Sequence, residues 1–231
     1  MEIVGKAEHL SPPLIECDKM GFLCILKNLN EYFNDINTCI SIGCNGFHEV
    51  EVIIKYFGIE NNNIVGLDIG IDKEYSDRFL KEKNIVIRYG NDGDGSIKEN
   101  YLFPKDIIND YSKLKWEKRK IDLIILRNPP VVTFKDYEYP EKEYYVNESL
   151  MSKILSASMY NMNNETLMLI SLWNRHPVVS EKEVMEKCLD DLDFEIIYND
   201  ENKEPTISDF STDKNDEIYT TKDNHIIIVR K

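Results

Sequence analysis

A chain of 231 residues, 42% of them hydrophobic, suffices for one α/β domain burying roughly 70% of the surface its unfolded form exposes, with no room for a second full domain. The 42 acidic residues against 28 basic ones give a formal net charge of −14, which disfavours extended nucleic acid and anionic membranes as partners, because binding them requires a basic face. The five cysteines contain no CxxC pair and none of the four histidines is spaced as a ligand pair, so reduced thiols and no bound metal are expected.

No basic region followed by an apolar run opens the sequence, and no stretch of about 18 consecutive apolar residues occurs in it; the expectation is a soluble, cytoplasmic protein. Residues 1 to 17 are polar, with Pro12-Pro13. Phe22, Leu26, Leu29, Phe33 and Ile36 then recur at helical spacing and predict an amphipathic helix over about 18–36. A first strand is expected at about 38–42, and a helix over about 47–57 with Phe47, Val50, Ile54 and Phe57 on one face and Gly58 as its stop. A second strand spans Ile64 to Asp68, a polar helix about 72–83, and a third strand Ile85 to Tyr89, before the turn Asn91-Asp92-Gly93-Asp94-Gly95.

A helix near 105–116 precedes Ile121 to Leu126, a nearly continuous apolar run of the kind found in central strands covered on both faces. Arg127-Asn128-Pro129-Pro130 ends that strand. A helix over about 147–162, a fifth strand from Thr166 to Trp173, a helix over about 180–190, a strand from Phe194 to Tyr198, a charged loop and a last strand from His225 to Arg230 complete the chain. Strands alternating with helices predict a parallel, doubly wound sheet, and the last two strands, with no helix between them, an antiparallel pair at its edge.

The first strand runs into a turn containing Gly43 and Gly46, and the second strand ends in Asp68, about 20 residues after Gly46. In an open α/β sheet this geometry brings backbone amides up to a ligand and lets the carboxylate accept hydrogen bonds from ribose hydroxyls. The bland alternatives are a packing turn for the glycines and a helix cap for Asp68. In Asn128-Pro129-Pro130 the prolines fix φ and remove two donors, leaving the Asn128 amide oxygen and a backbone carbonyl as acceptors that could hold an amino group by its hydrogens; a simple helix stop is the other reading.

These motifs, in this order, resemble the class I S-adenosylmethionine-dependent methyltransferases over about residues 38–230. The resemblance implies a doubly wound, mostly parallel seven-stranded α/β sheet of Rossmann-like type with one antiparallel edge strand, the reversed strand being inserted near the edge. It divides the chain into an N-terminal extension and helix covering the pocket (1–37) and a methyltransferase domain (38–231). The implied cofactor is S-adenosylmethionine, bound by Ser41, Gly43, Asn45, Gly46 and Asp68, with Asn91 and Asp92 holding its adenine. Asn128 and Arg127 would face the methyl acceptor, a small molecule or a protein. Ser41 stands where the family more often has an acid and Asn45 where it more often has Gly, which keeps open a binding protein that has lost transfer. A nicotinamide-dependent oxidoreductase on the same sheet is a further alternative, although the loop does not spell GxGxxG.

Four further segments each admit two readings. Arg127 is either a substrate-facing charge or a snorkelling surface side chain. Trp173 and His176 could wall the pocket or act as base, against an ordinary capped loop. The tyrosine-rich stretch Asp136 to Tyr145 reads as a lid or a surface loop, and the basic run Lys113 to Lys120 as a nucleic-acid patch or, on so acidic a chain, a solvated helix end with Trp116 packed inward.

Overall fold

The computed structural model describes residues 12–42, 48–60, 63–68, 86–89, 121–127, 129, 131–134, 144–173, 178–200 and 224–231. The helices expected near 72–83 and 105–116 lie outside these residues. The helices are α1 (Pro12–Asn28), α2 (His48–Phe57), α3 (Glu148–Asn161) and α4 (Glu181–Asp190). The strands are β1 (Cys39–Ile42), β2 (Ile64–Asp68), β3 (Val86–Tyr89), β4 (Leu123–Arg127), β5 (Val132–Phe134), β6 (Tyr144–Val146), β7 (Leu167–Trp173), β8 (Glu195–Asp200) and β9 (Asn224–Arg230). Among the described residues, no helix is long and apolar enough to cross a membrane.

The main sheet has the order β3-β2-β1-β4-β7-β9-β8. β1, β2, β3, β4 and β7 run parallel, as the alternation of strands and helices predicts. β9 is reversed against both β7 and β8. The reversed strand therefore sits one place in from the edge, and β8 forms the edge itself. All five residues of β4 are buried, as a strand covered on both faces requires.

Side-chain alternation along the strands divides the core in two. Ile40, Ile42, Ile124, Leu126, Met168, Ile170 and Leu172 face α3 and α4, while Cys39, Leu123, Ile125, Leu169, Ile226 and Ile228 face α1 and α2. Burial pushes the Cys39 thiol above its ordinary range, and the charge of Asp122 adds to the effect. At the amino edge Asp122 Oδ2 accepts hydrogen bonds from the backbone amides of Asn37 (2.8 Å) and Thr38 (2.9 Å) and from Thr38 Oγ1 (3.0 Å). This clamp fixes the start of β1 beside the start of β4.

The N-terminal helix differs from expectation. It begins at Pro12, since prolines suit a first turn whose amides have no partner within the helix, and it stops at Asn28. Phe33 and Ile36 are nonetheless buried in the same cluster as Phe22, Leu26 and Leu29, reaching it from a short 3-10 turn and extended chain. On α2 the buried apolar residues are Val50, Val52 and Ile53, with Ile54 and Phe57 at the periphery of the cluster. Gly58 ends α2 at φ +70°. The tyrosine-rich stretch contributes β6, which pairs antiparallel with β5 in a separate two-stranded sheet and leaves Tyr145 58% exposed.

Candidate active site

Five parallel strands end on one edge of the sheet, at Ile42, Asp68, Tyr89, Arg127 and Trp173. From β1 the chain moves outward through β2 and β3, then returns to β4 on the other flank of β1. The carboxyl ends of β1 and β4 are thus the topological switch point, where open α/β sheets bind their ligands.

The side chains facing α1 and α2 change character towards this edge. Cys39, Ile125 and Leu169 are apolar, whereas two residues further along each strand the same face carries Ser41, Arg127 and Ser171. Arg127 and Ser171 are direct register partners on β4 and β7. Arg127 is 4% exposed and Glu49, in the first turn of α2, only 1%. Arg127 Nη1 donates to Glu49 Oε1 at 2.5 Å, and the guanidinium lies over the Phe22 ring of α1, 5.2 Å from its centroid. Ser41 and Ser171 are also buried, and their Oγ atoms have no hydrogen-bond partner among the described residues.

Beside this cluster Glu51 joins the two helices, accepting from Lys55 within α2 (2.8 Å) and from Lys19 of α1 (2.9 Å). The Lys55 bond first, and Lys19 after it, hold the Glu51 carboxyl down to about 2. Two acidic residues in the first turn of α2 also suit the positive end of its dipole.

The architecture is shared with solved structures of other proteins. The chain is similar to an S-adenosylmethionine-dependent methyltransferase from Archaeoglobus fulgidus, with TM-score 0.51 and 17% sequence identity over 92% of this chain and 94% of that one. It is also similar to one from Mesorhizobium loti, with TM-score 0.50 and 12% identity over 89% of this chain and 96% of that one. This is the class I methyltransferase fold. At these identities the likeness is one of fold, and no protein-family model and no curated protein matches the sequence.

On this methyltransferase fold, Ser41 stands at the carboxyl end of β1 and Asp68 is the last residue of the neighbouring β2. Gly43, Asn45, Gly46, Asn91, Asp92 and Asn128 lie outside the described residues, as does His176. Arg127 is no snorkelling surface side chain: it is buried and held by Glu49, because β4 is central and the guanidinium needs a carboxylate once removed from water. Glu49 escaped the sequence reading. Its signal was an acid three and four residues before Val52 and Ile53 on the apolar side of α2, matched by an arginine closing an apolar strand.

Proposed function

We propose that the protein transfers a methyl group from S-adenosylmethionine to a small-molecule or protein acceptor. The observation that carries this reading is the strand order, which sets the ends of β1, β2 and β4 side by side around the switch point. The residues present suit the cofactor. Asp68 closes β2 where a carboxylate can accept from ribose hydroxyls, and Ser41 Oγ, without a hydrogen-bond partner among the described residues, stands at the end of β1. A buried hydroxyl without a partner costs about 1–3 kcal/mol, a cost that a polar ligand group removes.

In this reading Ser41, Gly43, Asn45, Gly46 and Asp68 hold the cofactor, and Asn91 and Asp92 its adenine. When bound, the cofactor supplies a methyl group on a sulfonium, a leaving group that is already activated. The chain's own contribution is then placement, which can supply much of the rate without a dedicated base. Asn128 would hold an acceptor amine by its hydrogens, leaving the nitrogen lone pair free. The N-terminal extension, through α1, covers the pocket and helps select the acceptor. A net charge of −14 favours neutral or cationic acceptors over polyanions.

Replacing Asp68 with Ala is expected to weaken S-adenosylhomocysteine binding by about 1–3 kcal/mol, the scale of lost charge-assisted hydrogen bonds. Calorimetric titration of wild type and variant measures it. Equal affinities would take Asp68 out of the site.

A further inference from the structure

The Glu49–Arg127 pair has a position that stability alone does not explain. Removing both charges from water is costly, and apolar side chains of similar volume often stabilise such a site as well or better. On the face packed against α1 and α2, the buried polar residues, among those described, gather at the carboxyl edge: Ser41, Glu49, Arg127 and Ser171. The pair also joins two particular points of the chain. Glu49 is the second residue of α2, directly after the connection from β1 that contains Gly43, Asn45 and Gly46; Arg127 is the last residue of β4, directly before Asn128-Pro129-Pro130. Their hydrogen bond spans 78 residues of sequence.

We infer that Glu49 and Arg127 are positioning residues that lock the first turn of α2 to the carboxyl end of β4 at the switch point, with the Phe22 ring as the platform that orients the guanidinium. The inference rests on the methyltransferase reading of the switch point. A planar fork bonded to a carboxylate and laid on an aromatic ring fixes direction as well as distance, which a lysine or an apolar pair does not. Pre-organising the start of α2 and the end of β4 in this way lets a methyl donor and an acceptor meet without further ordering of these two elements.

The test compares wild type, E49Q, R127M and the double variant E49M/R127M by thermal unfolding and by titration with S-adenosylhomocysteine. Each single substitution removes one partner of a buried charge pair and is expected to lower Tm by roughly 10 °C. The double variant, with apolar side chains of similar volume at both positions, is expected to regain most of that loss yet to bind S-adenosylhomocysteine at least about tenfold more weakly than wild type. A double variant with wild-type affinity would overturn the inference and leave the proposed function standing. Absence of binding by wild type would overturn the proposed function, and the inference with it. If the double variant does not fold, R127K serves instead: it keeps the charge and loses the fork, so weakened binding at near-wild-type Tm supports positioning and unchanged binding overturns it.

Discussion

Gly58 shows how far a single residue can be understood on its own. At φ +70° it occupies the left-handed region, and a Cβ placed there would meet no heavy atom within 4 Å. Gly58→Ala therefore faces conformational cost alone, about 1 kcal/mol, which should lower the urea midpoint without altering the slope of the transition. A neutral result would show that the end of α2 relaxes. Asp35 and Asp193, at φ 52° and 56°, tolerate the same region because their short polar side chains can bond locally. Gly58 was legible in the sequence because its role is local: a glycine directly after an amphipathic run. Glu49 was not, because what buries it is Arg127 on another strand, and acids near a helix start are ordinarily solvated. Ser41 is legible as a departure from the family's acid, while its burial and a hydroxyl with no partner among the described residues are properties of the packed sheet.

Contacts between elements explain why α1 belongs to the same packed body as the sheet. Its apolar residues share a cluster with β1, β4, β7 and β9, Tyr56 of α2 donates to Leu26 O or Asn30 Oδ1 at 3.0 and 2.9 Å, and Lys19 reaches Glu51. The Glu51 carboxyl titrates at about 2, below its ordinary 4.5. Its contribution to stability is then fully present above pH 4.5 and fades as pH falls towards 2. Glu51→Gln should accordingly be less stable than wild type near neutral pH by about 1 kcal/mol or less, since solvent and salt screen these partly exposed charges. That gap should close in acid. Denaturant unfolding at neutral pH and at pH 2.5 checks this, and a gap that persists in acid would show that the carboxylate is not responsible. Elements with strong periodicity or long apolar runs, β4 above all, were readable in advance. The β5–β6 pair was not: two strands of three residues, joined across a tyrosine-rich charged stretch, have too short a pattern to stand out from a loop.

At the scale of the whole molecule, alternation of strands and helices specifies a parallel sheet but does not by itself say which strands are neighbours. The order follows from constraints that only the folded chain satisfies together. The Asp122 clamp joins β1 to β4 at the amino edge, Glu49–Arg127 joins α2 to β4 at the carboxyl edge, and β9 inserts in reverse between β7 and β8. The sheet that results has the class I methyltransferase fold, and its switch point lies at the carboxyl ends of β1 and β4. Fold alone does not decide chemistry; ligand binding does. The most direct test is calorimetric titration of the full chain with S-adenosylmethionine and S-adenosylhomocysteine, with a nicotinamide dinucleotide as control. Saturable binding of the two sulfur nucleosides at one site, without binding of the dinucleotide, is the predicted result. Binding of none of them, or of the dinucleotide alone, would contradict the assignment of this edge as a methyl-transfer site.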